Sequence, residues 1–179
     1  MNADEKGKLL ADLERGKQAL LDCLAGLTEQ AAARKLAPGK WSILECVEHL
    51  AISEDYLFMQ IEASHDADTQ TISRSRESLI LERGLDRTRT VESPDVGKPN
   101  GRFSTLTDAV QRFLTIRERT VRFVEGCDED LRCKITSHPI IGTVNCYETL
   151  LMIAVHPLRH AKQIEETKAE LCHRRNLSG

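Results

Sequence analysis

Aromatic residues are scarce in this sequence: Trp, Tyr and Phe together make up 4% of its 179 residues, against a hydrophobic fraction of 40%. The interior therefore has to be built mainly from Leu, Ile, Val and Ala, a composition that favours helices. Long apolar runs are missing as well. The longest, LLMIAV at residues 150–155, is far shorter than the roughly 20 residues that a membrane-spanning helix needs, so we expect no membrane partner.

An excess of basic residues is also absent. The chain carries 25 Lys and Arg against 28 Asp and Glu, a formal net charge of -3, and non-specific nucleic-acid binding depends on neutralising many phosphates with basic side chains. We therefore expect no nucleic-acid partner. The first residues, MNADEKGKLLADLERGK, lack the basic start and apolar middle of an export signal. None of the six cysteines belongs to a C-x-x-C pair, so we expect a cytoplasmic protein with reduced thiols.

Helical periodicity is what the sequence does contain. Leu9, Leu13, Leu20, Leu24 and Leu27 recur at three-to-four spacing or its multiples, the pattern of one buried helix face. Comparable patterns predict four long amphipathic helices, over residues 4–25, 42–64, 105–125 and 145–168.

Two of the predicted helices begin with capping signals. Ser42 is followed three residues later by Glu45, and Asn145 three residues later by Glu148. In such pairs the side chains satisfy backbone N–H groups that have no partner inside the helix. Trp41 directly precedes the first cap, and we interpret it as an apolar anchor that packs onto the first turn.

The segment between the second and third helices, residues 65–102, has weaker periodicity and ends in accumulated prolines and glycines, which predicts a partly helical crossover followed by a loop. Its arginines could grip an anion, but the acidic residues among them favour a solvated mixed surface. These arginines are Arg74, Arg76, Arg83, Arg87 and Arg89. Residues 138–142 look like an extended connector, and no segment has a convincing strand pattern. The sequence thus predicts an all-α protein, a single domain over residues 1–179 built as a four-helix bundle with a long crossover between helices two and three.

A pair of histidines marks the fourth helix. His156 and His160 are four residues apart, which brings their side chains onto one helix face, with Cβ atoms about 5–6 Å apart. Neutral imidazole nitrogen binds Zn²⁺ and neighbouring transition metals, and zinc proteases use the same spacing. The Glu of their H-E-x-x-H motif is absent here, so the sequence does not support that reaction.

A third ligand is needed to complete a site. His49 on the second helix is the natural candidate, while His65 near the end of that helix and His138 in the connector are alternatives. Cys46, one turn before His49, could approach the metal as a fourth ligand or nucleophile, although a small buried side chain is the simpler interpretation. Side chains that could orient the imidazoles are Glu45, Ser53 and Gln163.

Three stretches, PGKWSILECVEHLAISEDY, HPIIGTVNCYETL and HPLRHAKQIEE, occur in this order and resemble the DinB/YfiT-like metalloenzyme family. The resemblance spans residues 9–166. It implies a four-helix bundle with up-down-down-up connections, frequent homodimerisation and three metal-ligating histidines. On matching positions these ligands are His49, His156 and His160.

Pro157 departs from the pattern of many relatives, because it follows the first ligand of the fourth helix and has no N–H group. Its ring also crowds the carbonyl of Ile153. We therefore predict a kink or widened turn beside the metal, with the freed carbonyl met by water or by a side chain.

Three histidines leave at least one coordination position open, which is typical of catalytic sites. We expect one divalent transition-metal ion, Zn²⁺ or Ni²⁺. Relatives with these motifs include S-transferases and isomerases that use low-molecular-weight thiols such as bacillithiol or mycothiol. The resemblance therefore implies an S-transferase that joins a thiol cosubstrate to a small electrophilic substrate. A metal-dependent hydrolase and a non-enzymatic, stress-related dimeric bundle are the alternatives.

Overall fold

The computed structural model describes residues 1–67, 75–88 and 91–177. These residues form six α-helices: α1 (Ala3–Leu24), α2 (Glu29–Ala33), α3 (Ile43–Glu62), α4 (Glu77–Leu85), α5 (Leu106–Gly126) and α6 (Cys146–Leu177). They also form a 3-10 turn (Asp95–Gly97) and three strands: β1 (His65–Asp66), β2 (Lys134–His138) and β3 (Gly142–Asn145). Within these ranges, no helix is both long and apolar enough to cross a bilayer.

The four long helices are the four that the sequence predicts. Helix α1 packs against α5 and α6, and α3 packs against the same two helices. Since α1 and α3 make no such contact with each other in the described part of the chain, they lie on opposite corners of the bundle. The crossover contributes α4, which packs on α6. The predicted four-helix bundle with a partly helical crossover is therefore confirmed.

Both predicted capping signals form. Ser42 Oγ accepts from the Glu45 N–H at 3.1 Å while Glu45 accepts from the Ser42 N–H at 2.8 Å. Asn145 and Glu148 make the same reciprocal pair at the start of α6. Because α3 and α6 carry the three candidate histidines, these caps fix the first turns of the helices that build the site.

The three strands were not predicted and correct the expectation that the chain has no convincing strand. Strands β2 and β3 pair antiparallel, with His138 opposite Gly142, and β1 adds two residue pairs to the outer side of β2. The connector at residues 138–142 is thus the turn of a hairpin. Strands this short give no alternation long enough to recognise, and β1 joins a partner almost 70 residues away along the chain.

An ion pair is buried in the core. The side chains of Arg117 on α5 and Glu54 on α3 are 2% and 4% exposed, and Arg117 Nη2 lies 2.7 Å from Glu54 Oε2. The guanidinium also lies 5.1 Å from the centre of the Phe113 ring. Phe113 belongs to one apolar cluster of the core, whereas Leu13, whose carbonyl accepts a hydrogen bond from Arg117, belongs to a second. The pair therefore lies where the two clusters meet.

Candidate metal centre

The structure brings three predicted histidines together in the bundle. His49 lies on α3, and His156 and His160 lie one turn apart on α6. The Nε2 atom of His156 is 3.2 Å from that of His49 and 3.0 Å from that of His160. One ligand atom from each ring lies within 4.8 Å of the other two. His49 and His160 are each 6% exposed, and His156 is half-buried.

The orientation of His49 is set by its other ring nitrogen. Nδ1 lies 2.6 Å from the carbonyl oxygen of Gly97 and 3.3 Å from Ser53 Oγ. Because a carbonyl can only accept, Nδ1 carries the proton and donates it to Gly97. Nε2 is then a bare acceptor facing His156. Metal-binding histidines commonly make this second hydrogen bond, and Ser53 contacts His49 as predicted.

Gly97 can approach His49 because it has no side chain. A Cβ at this position would lie 2.9 Å from Ser53 Oγ and 3.1 Å from Ser93 Oγ. The loop that follows is held by Glu48, the neighbour of His49 on α3. Glu48 Oε1 accepts from the N–H groups of Asn100 and Arg102, each at 2.9 Å.

The two histidines on α6 are in the protonation state that binds metal. Burial lowers the pKa of His156 well below 6.5, and the neighbouring His160 and His49 lower it further. Burial also lowers the pKa of His160, repulsion from the protonated form of His49 adds to the shift, and Gln163 opposes it. Among the described residues, Nδ1 of His160 has no partner within hydrogen-bond distance. Both rings are therefore neutral at neutral pH, with lone pairs available to a ligand.

Trp41 forms one wall of the site. Its ring centre lies 4.8 Å from that of His49 and 6.5 Å from that of His160, with the second pair nearly parallel. Trp41 also packs against the apolar core cluster of Phe113. The predicted anchor is thus in contact with two of the three histidines as well as the core, a role that its position before the cap does not reveal.

Two basic side chains, one from the crossover and one from α6, lie near His160. Arg87 donates to Glu166 and Gln163, and its positive charge and that of Arg159 lower the pKa of His160. Arg76 donates to the carbonyl of Ile141, outside the site. Arg74 and Arg89 lie outside the described residues.

The alternative ligands stay outside the group. His65 is exposed on β1. His138 lies at the end of β2, where Nδ1 accepts from the N–H groups of Ile140 and Ile141. Cys46 is 1% exposed, and burial raises the pKa of its thiol to about 12. Glu45 is occupied by its capping bond and by Lys35, so it does not orient an imidazole.

Pro157 is accommodated without breaking α6, which runs continuously from Cys146 to Leu177. The carbonyl of Ile153, which the proline deprives of its helical donor, accepts from Arg117 Nη2 at 3.1 Å. This agrees with the expectation that a side chain or water would satisfy it. Arg117 itself was not predicted, although it lies on the apolar stripe of Phe113, Thr120 and Val124.

The three imidazoles fit a transition-metal ion. Two nitrogens bound at 2.0–2.1 Å to a tetrahedral ion lie about 3.3 Å apart, close to the 3.2 and 3.0 Å that separate Nε2 of His156 from Nε2 of His49 and of His160. All three ligand atoms lie within 4.8 Å of one another. Nε2 of His156 is within 3.2 Å of the Nε2 atoms of both other rings, so a proton or a cation has to lie between these nitrogens, since lone pairs repel. The donor set is all nitrogen, which suits ions such as Zn²⁺ or Ni²⁺.

Comparisons with known proteins agree with this architecture. No curated protein matches the sequence. Among solved structures, YfiT from Bacillus subtilis, described as a probable metal-dependent hydrolase with an unusual four-helix bundle topology, has the same fold, with a TM-score of 0.61 and 15% sequence identity. The match covers 96% of this chain and 90% of that one. The family model of the DinB superfamily matches residues 12–164, and the chain therefore belongs to the DinB superfamily.

Proposed function

We propose that the chain is a metal-dependent S-transferase in which His49, His156 and His160 hold one Zn²⁺ or Ni²⁺ ion. The supporting observation is the convergence of three neutral imidazoles, with no carboxylate or thiol of the described residues joining the group. Because all three residues that would hold the ion are neutral, they would leave its positive charge undiminished, and the site would favour an anionic ligand.

The chemistry is nucleophilic attack by a low-molecular-weight thiol on a small electrophile. A divalent ion held by the three histidines would act as a Lewis acid and lower the pKa of a bound thiol or water. The sulfur forms a bond to the electrophilic carbon while the leaving group departs with the electron pair of the bond that breaks. The thiol proton is released to solvent when the cosubstrate binds as the thiolate.

Residues around the three histidines hold the imidazole rings in position and shield them from water. Gly97 and Ser53 hold the ring of His49, and Trp41 covers one side of the histidines against water. Arg87, anchored by Glu166, adds positive charge beside His160, which favours a thiolate over a thiol. None of these roles requires a general base.

Metal-dependent hydrolysis is the second candidate, because the structural neighbour YfiT is described as a probable metal-dependent hydrolase. Activating water for hydrolysis ordinarily uses a nearby carboxylate base, as in the H-E-x-x-H enzymes. This sequence has Pro157 where that motif has its Glu, and we therefore rank thiol transfer first.

The test incubates metal-loaded protein with a panel of cellular thiols and the electrophile monobromobimane. The fluorescence of the thiol–bimane product measures the reaction rate. We expect the rate to depend on both thiol and metal, to fall to the uncatalysed rate in His156→Ala, and to be unchanged in the matched control His65→Ala. Equal rates in the wild type and His156→Ala would rule out the transferase. Metal-dependent cleavage of ester or amide substrates without thiol would instead support the hydrolase. Inactivity in both assays would support the non-enzymatic bundle.

A further inference from the structure

The buried ion pair of the core is built around one side chain, Arg117. Its Nε lies 2.9 Å from Glu54 Oε1 and its Nη2 2.7 Å from Glu54 Oε2, so the contact is bidentate. Thr120 Oγ1 donates to the same carboxylate at 2.9 Å. The charges are therefore satisfied inside the protein, as buried charges must be.

The same guanidinium reaches two further helices. Nη1 donates to the carbonyl of Leu13 on α1 at 2.6 Å, and Nη2 donates to the carbonyl of Ile153 on α6 at 3.1 Å. Since Arg117 lies on α5 and Glu54 on α3, one side chain links all four long helices of the bundle.

The contact with Ile153 replaces a missing helical hydrogen bond. In a regular helix this carbonyl accepts from the N–H group four residues later, and residue 157 is a proline. The affected turn contains His156. Helix α1 approaches the same turn closely, because a Cβ on Gly16 would lie 2.4 Å from the carbonyl oxygen of Ala154.

Through Glu54, the same guanidinium is also bound to α3. Glu54 lies five residues after His49, so the Arg117–Glu54 pair fixes the distance between the helix that carries His49 and the proline turn that carries His156. We propose that Arg117, held by Glu54, is a positioning residue of the metal site. It holds the proline turn of α6 so that the Nε2 atoms of His156 and His49 converge, and this inference rests on the proposed metal site.

Positioning can be separated from folding, because replacing a buried ion pair with apolar residues of similar volume often leaves stability unchanged or improves it. The double variant Glu54→Leu/Arg117→Met preserves volume but leaves the carbonyl of Ile153 without its donor. A role confined to folding predicts unchanged metal affinity wherever this variant folds.

The first measurement is the Kd of Co²⁺ and Zn²⁺ for the double variant, with the Co²⁺ absorption spectrum as a report on ligand geometry. We expect Kd to rise about 10–100-fold, the loss found when groups that orient ligands are removed. The matched control is Arg112→Met, which breaks an exposed pair with Asp55 between the same two helices and should change Kd less than about twofold. Unchanged Kd and spectrum in the double variant would overturn the proposal.

The second measurement is rescue. Pro157→Ala restores an N–H group that can donate to Ile153, so adding it to the double variant should recover most of the lost affinity. Adding it to the wild type should change Kd far less. Failure to recover affinity in the triple variant would also overturn the proposal.

A metal-free readout separates this proposal from the proposed function. If the wild type binds no ion, the proposed metal site is contradicted. NMR of the histidine ring nitrogens still tests whether Arg117 positions His156. We expect the His156 signals to shift in the double variant and those of His138 to stay unchanged. If the double variant does not fold, Glu54→Gln, which keeps shape and hydrogen bonding but weakens the grip on Arg117, serves for the same spectra. Unshifted His156 signals would overturn the proposal.

Discussion

At the scale of single residues, His49 owes its orientation to a backbone carbonyl and to the glycine that carries it. The 2.6 Å contact between Nδ1 and Gly97 fixes which nitrogen faces the other two rings. A carbonyl acceptor cannot be removed by mutating a side chain, but its approach can be blocked. Gly97 is therefore the residue through which this orientation can be tested.

We predict that Gly97→Ala lowers metal affinity about tenfold, as loss of such an outer contact typically does. The added methyl group would lie 2.9 Å from Ser53 Oγ, so the loop must move away from His49. The measurement is a metal competition titration with a chelator. The control is Gly7→Ala on α1, where a Cβ meets nothing within 4 Å; equal losses in both variants would contradict the prediction.

Cys46 is the residue that the sequence offers as a thiol nucleophile beside the metal. Its pKa of about 12 leaves roughly one thiol in ten thousand ionised at pH 8, and only the thiolate reacts. We predict that iodoacetamide modifies Cys46 in the folded protein at least 100-fold more slowly than the exposed Cys172, as followed by peptide mass spectrometry. Similar rates in urea provide the control, and similar rates in native protein would show that Cys46 is accessible.

The sequence predicted which histidines meet, because i, i+4 spacing places two of them on one helix face and the family motifs supplied the third. It did not predict Arg117 or Glu54 as partners. Arg117 on an apolar stripe was a signal of burial, but the identity of its partner depends on how α3 and α5 pack. Spacing along one helix carries no information about that packing.

At the scale of elements, the site depends on a loop as much as on helices. The 3-10 turn that contains Gly97 is followed by residues 98–102, whose N–H groups at positions 100 and 102 are bound by Glu48. Glu48 is fully buried and adjacent to His49, so α3 holds both the ligand and the loop that orients it.

We predict that Glu48→Ala releases this loop. Two backbone N–H groups lose their acceptor, which raises amide exchange at residues 95–102 by at least about tenfold and weakens metal binding. Hydrogen–deuterium exchange with peptide resolution measures the first effect. Glu62→Ala, an exposed position on the same helix, is the control, and unchanged exchange in the loop of Glu48→Ala would contradict the assignment.

Among the elements, the helices were predictable and the strands were not. The leucine spacing of α1 and the capping residues of α3 and α6 are local signals, read within a few residues of each other. The pairing of β1 with β2 joins His65 to Ile135, and neither segment has a pattern of its own long enough to indicate a strand. The sheet forms because the bundle brings these segments together.

At the scale of the whole molecule, the homodimer implied by the family resemblance stays a prediction. Apolar side chains such as Met59 and Ile140 are 56% and 50% exposed, and a dimer interface would cover groups of this kind. We predict a sedimentation equilibrium mass of twice the 20.1 kDa chain. A monomer mass maintained over a hundredfold range of protein concentration would contradict it.

The proposed function depends on His49, His156 and His160 holding one ion. The most direct test is the metal content, by inductively coupled plasma mass spectrometry, of freshly purified protein made without a histidine tag, beside the alanine variant of each of the three histidines and His65→Ala. We predict about one divalent transition-metal ion per chain in the wild type and His65→Ala, and loss of most of it in each of the three site variants, because two imidazoles bind far more weakly than three. A wild type that neither contains nor takes up metal, or site variants that keep as much metal as His65→Ala, would contradict it.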